Sequence, residues 1–218
     1  PPAKFPAVHW GRRVTDADEK LILDWVKETR AAHYATGLAS PARANEPLQP
    51  LPDKLPVDAA KAALGEKLFS DKRLSGDNTL SCASCHDYAK AGTDNSQFSE
   101  GIRGQFGDIN APSTFNAVFN VKQFWNGRAA DLQEQAGGPP MNPIEMGSKD
   151  WHEIIAKLAN DPEFTAAFKA VYADGWTGDN ITDAIAEHEK TLITPNSRVD
   201  KWLKGDDSAL SKEELMGY

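Results

Sequence analysis

The sequence predicts an all-α fold with long irregular loops. Apolar residues recur at helical spacing in several segments, and strong apolar–polar alternation of the strand type is missing. From Ser70 to Pro143 the text is rich in Gly, Asn, Asp and Ser, with few long periodic runs.

The first helix is expected in TDADEKLILDWVKETRAAHY, where Thr15 and Asp18 have capping-box spacing and Leu21, Ile22, Trp25 and Val26 share a face. ASPARANEPLQPLPDKLP follows as a Pro-rich, extended connector, and it marks the best boundary in the chain. The expected organisation is an N-terminal helical segment over 1–40, a linker over 41–56 and a main domain over 57–218. In that domain VDAAKAALGEKLF places Val57, Ala60, Leu64 and Leu68 on one face. After the loop-rich stretch, SKDWHEIIAKLAN carries a stripe of Trp151, Ile154, Ile155 and Leu158. DPEFTAAFKAVYA offers Asp161 as N-cap and Pro162 at the first helical position. NITDAIAEHEKTLI carries Ile181, Ile185 and Leu192, and SKEELMGY opens a capping box at Ser211 and Glu214.

Gross composition bounds the function. The net charge of -8 argues against a nucleic-acid partner, because phosphate binding needs a basic face. No apolar run approaches the roughly 20 residues that span a bilayer. The opening PPAKFPAVHWG lacks Met and reads as processed or trimmed.

Both cysteines lie in LSCASCHDYAK, three apart, and His86 follows the second. Four readings compete for Cys82, Cys85 and His86. C-x-x-C-H is the signature of covalent haem c. Thiols one helical turn apart match the separation of two haem vinyl groups, and the adjacent histidine then supplies an axial nitrogen to iron. Zinc would need further ligands, and His9, His33, His152 and His188 are isolated in the sequence. A thioredoxin-like pair should follow a strand, whereas the text before the motif, GDNTLS, is a turn. A disulfide or a pair of buried thiols is the fourth reading. Haem fits best and makes the fold c-type cytochrome-like. Because bacteria attach haem c outside the cytoplasm, the expected location is periplasmic.

The text after the motif bears on catalysis. QFWNGRAADLQEQAGGPPMNPIEM gathers Trp125, Gln135, Met141, Glu145 and Met146 in one loop-rich stretch. A carboxylate near an open iron position could move protons on bound peroxide, and a tryptophan could relay an electron. Each also has a plainer reading. Such a glutamate is usually solvated, a tryptophan usually core and a methionine usually a gap filler.

LGEKLFSDKRLSGDNTLSCASCH, GTDNSQFSEG, NAPSTFNAVFN, QFWNGRAADLQEQAGGPPMNPIEM and EKTLITPNSRVDKWLKGDDSALSKEELMGY follow one another in order. This series resembles the peroxidatic-haem domain of the bacterial di-haem cytochrome c peroxidases, a family that includes the enzyme maturing tryptophan tryptophylquinone. The resemblance covers roughly residues 57–218. It implies haem c on Cys82 and Cys85 with His86 as proximal ligand, Glu145 as distal acid/base and Gln135 flanking the peroxide. It further implies Trp125 between this haem and a second one, and Asn110 as a contributor to a calcium site between two haem domains. The implied reaction is reduction of hydrogen peroxide to water. Its electrons would come from a small cytochrome or copper protein, and the resemblance leaves room for a homodimer. A rival is a non-enzymatic electron-transfer cytochrome with Met146, Met141 or a distant His closing the iron. A third reading is a related oxidase acting on a protein substrate.

Three departures stand out. In SEGIRGQ, Ile102 occupies the register where the classical peroxidases of the family carry a histidine that blocks the resting iron. Isoleucine cannot ligate iron, so an open site is expected, with the apolar side chain keeping the distal pocket dry. Asn126 stands where the motif commonly has aspartate, which is expected to loosen one contact. The family's second haem motif normally follows text like SKEELMGY, and the first forty residues weakly resemble the tail of an upstream haem-binding domain. Both suggest a piece of a longer multi-haem protein.

Overall fold

The computed structural model describes residues 15–34, 41–43, 46 and 48–218. The helices among them are α1 (Asp16–Tyr34), α2 (Ala59–Phe69), α3 (Cys82–Cys85), α4 (Leu132–Ala136), α5 (Gly138–Met141), α6 (Trp151–Leu158), α7 (Pro162–Val171), α8 (Gly178–Glu189), α9 (Arg198–Leu203) and α10 (Lys212–Gly217). Outside them the loops carry isolated bridges, at Asp87–Thr93, Glu100–Phe106 and Gln123–Ala129. The expectation of a helical fold with long irregular loops holds. None of the described helices is long and apolar enough to cross a membrane.

The centre of the fold is the pairing of α2 with α8. Asp58 caps α2 by accepting from the backbone N–H groups of Ala60 and Lys61, which leaves Val57 outside the helix. The buried face is Ala62, Leu64, Gly65, Leu68 and Phe69, while Ala60 is exposed, a correction to the face read from sequence. Gly65 sets this rotation. A Cβ there would sit 1.9 Å from the Ala184 carbonyl oxygen and 2.8 Å from His188 Cβ, so only glycine permits this approach of the helices.

Ile154 and Leu158 of α6, Phe164 and Phe168 of α7, and Ile181, Ala184 and Ile185 of α8 join Leu64, Leu68 and Phe69 in one buried cluster. Trp151 and Ile155 pack against it. The aromatic part is ordered by stacking: Phe168 lies 3.8 Å from Trp176, centroid to centroid, at an interplanar angle of 17°. The predicted caps are present. Asp161 accepts from Phe164 N–H with Pro162 in the first turn of α7, Ser211 and Glu214 form the box at α10, and Thr15 and Asp18 exchange hydrogen bonds before α1.

The Pro-rich stretch is tied to the C-terminal helices. Leu51 N–H donates to Asp200 Oδ1 at 2.8 Å, Lys204 Nζ lies 3.0 Å from Asp53 Oδ1, and the Arg43 guanidinium lies 4.2 Å from the Trp202 ring centroid. On α1, Leu21, Ile22 and Trp25 are exposed. His9 lies outside the described residues, as does the side chain of His33.

Candidate functional site

Cys82 and Cys85 begin and end α3, a single helical turn, so both thiols leave the same side of it. Ser81 and Ser84 form a capping box at its start, which fixes the turn. The two cysteines are not joined to each other. Burial pushes the Cys82 thiol up to about 12, and burial together with the carboxylates of Asp94 and Glu145 pushes Cys85 up. Among the described residues no group of three or more His, Cys, Asp and Glu side chains is arranged to hold a metal ion by itself.

His86 caps the C-terminus of α3, its N–H bonded to the Cys82 carbonyl. Its Nδ1 lies 3.1 Å from the Gly92 carbonyl oxygen. A carbonyl only accepts, so Nδ1 carries the proton and Nε2 keeps a free lone pair. Burial lowers the affinity of the ring for a second proton. The result is a neutral, oriented imidazole of the kind a metal ion needs. Gly92 is a residue that the sequence reading passed over. Its φ is +75°, and a Cβ there would meet Thr114 Oγ1 at 2.8 Å, so glycine is needed to aim this carbonyl. The preceding Ala91 is itself left-handed, with φ 60°.

Glu145 lies in the turn after α5 and reaches the same region. Its charge adds to the rise of the Cys85 thiol. Its Oε2 is buried without a hydrogen-bond partner. Burial raises its proton affinity, and the Arg128 charge and a hydrogen bond with the Asn142 side chain partly oppose this. Neither Arg128 nor Asn142 stood out in the sequence. Arg128 is held by stacking on Phe124, 3.4 Å from the ring centroid, and by Asn126, whose Oδ1 accepts from Arg128 Nη1 at 3.2 Å. Asn126 thus meets Arg128 through a neutral oxygen.

The other sequence candidates are spread around this centre. Gln135 is half-buried on α4. Trp125, at the tip of the turn closed by the Gln123–Ala129 bridge, is 65% exposed and donates from Nε1 to the Asn110 carbonyl at 2.9 Å. The Asn110 amide nitrogen donates to the Ser96 carbonyl at 2.6 Å. Met146 is a member of the buried cluster and Met141 packs against it. Ile102 is 1% exposed. A Cβ on Gly147 would meet its Cδ1 and Cγ2 at 3.0 Å, and one on Gly76 its Cδ1 at 3.4 Å. The side chain is thus packed on backbone at Gly76 and Gly147.

Residues 59–208 match the di-haem cytochrome c peroxidase family. The chain belongs to that family. It is 55% identical over 218 residues to the cytochrome c peroxidase Ccp of Escherichia coli (strain K12), covering 100% of this chain and 47% of that protein. It is 50% identical over 177 residues to the cytochrome c551 peroxidase of Nitrosomonas europaea, covering 80% of this chain and 52% of that relative. The chain spans about half the length of these curated relatives. Among solved structures, a MauG-like protein associated with microbial copper homeostasis superposes with a TM-score of 0.68 at 32% identity, over 77% of this chain and 52% of that one. The diheme peroxidase BthA of Burkholderia thailandensis, at 24% identity and a TM-score of 0.65 over 78% of this chain and 49% of its own, shares the fold. Family membership brings haem c into the argument, and the residues fit it: two unjoined thiols on one helical turn, an imidazole with a free Nε2, and a buried carboxylate oxygen without a partner.

Proposed function

We propose that this chain is the peroxide-reducing haem domain of a di-haem peroxidase. Cys82 and Cys85 would hold haem c covalently through their thiols, and His86 would ligate its iron. Bound there, the haem supplies a site for hydrogen peroxide and accepts the electrons that reduce it. His86, held by Gly92, would ligate the iron. Glu145 takes the proton from the near oxygen of peroxide and returns it to the leaving oxygen. Gln135 orients the peroxide by hydrogen bonding. Trp125 carries electrons toward this haem from a second haem in the longer protein. The donor is a small cytochrome or copper protein, and the setting is periplasmic. Asn110 contributes an oxygen to a calcium site completed by other parts of the protein, since Ca²⁺ takes 6–8 oxygens. A homodimer is compatible with this arrangement.

The observation that carries the reading is Glu145, a half-buried acid whose Oε2 is enclosed without a partner and whose charge acts on Cys85. Structural carboxylates in such places are normally satisfied. The test is the optical spectrum of the oxidised holoprotein followed by peroxide addition. A high-spin ferric haem that consumes peroxide supports the peroxidase. A low-spin haem inert to peroxide would make the chain an electron carrier.

A further inference from the structure

His188 is isolated in the sequence but not in space. Its Nε2 lies 2.6 Å from the hydroxyl of Tyr88. Both rings pack on Phe69: Tyr88 stacks at a centroid distance of 5.6 Å, and His188 meets its edge at 5.5 Å. Phe69 in turn lies 6.5 Å from the His86 ring. An aromatic path therefore runs from the proximal imidazole through Phe69 to the Tyr88–His188 pair. His188 is buried, while Tyr88 is 40% exposed. The inner end of the path faces the haem site and the outer end reaches the surface. Nothing in the peroxidase mechanism uses this pair.

A phenol is hard to oxidise alone, because the radical cation it forms is a very strong acid. A base already hydrogen-bonded to the hydroxyl removes that difficulty. Neutral His188, with the proton on Nδ1, accepts through Nε2. Burial keeps the ring neutral beforehand, and the Glu66 carboxylate nearby favours the imidazolium once it forms. The proton stays on Tyr88 at rest and crosses the 2.6 Å hydrogen bond to His188 only as the phenol loses an electron.

We propose that Tyr88 and His188 form a proton-coupled redox pair that carries oxidising equivalents from the haem to the protein surface. Tyr88 gives one electron to a haem oxidised by peroxide. The phenolic O–H bond breaks as an N–H bond forms at His188 Nε2, leaving a neutral tyrosyl radical and an imidazolium. A one-electron reductant arriving at the exposed edge of Tyr88 returns the electron, and the proton goes back to the phenol. The pair then serves as a surface port distinct from Trp125. The proposal rests on the haem assignment made above.

The experiment uses the full-length holoprotein mixed with peroxide and frozen for electron paramagnetic resonance, with the haem absorbance followed in parallel. A tyrosyl signal is expected in the wild type and in Trp125→Phe, lost in Tyr88→Phe and reduced at least tenfold in His188→Gln. A second arm generates the oxidant photochemically as tris(bipyridyl)ruthenium(III), without peroxide. There oxidation of Tyr88, read as the radical absent from Tyr88→Phe, should slow at least tenfold in His188→Gln. Haem that does not respond to peroxide would overturn the peroxidase reading, and the second arm still decides the pair. Haem that responds while the radical is missing or unchanged in Tyr88→Phe overturns the port. So does ruthenium oxidation of Tyr88 that ignores His188→Gln.

Discussion

The backbone N–H of Ile102 donates to the carbonyl oxygen of Glu145 at 2.7 Å. The loop in which the resemblance places a blocking histidine is thus stitched to the residue proposed as the acid. Gly101 makes the approach feasible, since a Cβ there would sit 1.9 Å from the Ile144 carbonyl oxygen. Ile102 acts on the site through this main-chain bond. Its side chain packs on the backbone at Gly76 and Gly147.

With isoleucine in that register, the oxidised holoprotein is expected to show His86 as the sole protein ligand of the iron. It should be high-spin and should react with peroxide without prior reduction. A low-spin spectrum, or a lag abolished by one electron, would contradict this. Ile102→Ala should destabilise the fold by about 2–5 kcal/mol, the usual cost of emptying a buried isoleucine site, read from thermal or denaturant melts.

Glu145→Gln removes the proton acceptor and keeps the shape. Peroxide turnover in the full-length protein should fall about 10²–10⁴-fold with the haem spectrum unchanged. Turnover within about threefold of wild type would take Glu145 out of the mechanism.

Haem should remain with the polypeptide through acid–acetone extraction, and Cys82→Ser or Cys85→Ser should each leave it on a single thioether. Clean extraction from the wild type would remove the covalent assignment. Gly92→Ala, which must adopt φ near +75° and meets Thr114, should disturb the His86 hydrogen bond. Weaker iron ligation, seen as a shifted Soret band, is the expected result.

Gly65→Ala is expected to lower stability by more than the 1–3 kcal/mol of ordinary overpacking, because its Cβ meets backbone of α8. Gly217→Ala, with nothing within 4 Å of the added carbon, is the control and should change the melting temperature little. Equal melting temperatures for the two variants would refute the role of the close α2–α8 approach.

Glu189 is buried, and burial raises its carboxyl from 4.5 to about 8. Between those two values the folded protein holds a proton that the unfolded chain has released, so stability falls as pH rises through the window. The total change is on the order of a few kcal/mol. Glu189→Gln should flatten this part of the stability–pH curve, and an unaltered slope would show that Glu189 does not titrate there.

The sequence by itself determined the helices with strong periodicity and caps, such as α6, α7 and α10. Their start signals and apolar stripes are local properties of the chain. It also marked the Cys82–His86 turn proposed to hold haem c, because two thiols and one imidazole lie together there in the chain. Tertiary structure decided what depends on distance through space. It rotated α2 onto Gly65, set the Gly92 carbonyl against His86 and bound the Glu145 carbonyl to the Ile102 N–H. It also joined Tyr88 to His188 across a hundred residues. No periodicity encodes these meetings. They arise because the α2–α8 core fixes where loops begin and end, and loop backbones then settle where their polar groups find partners.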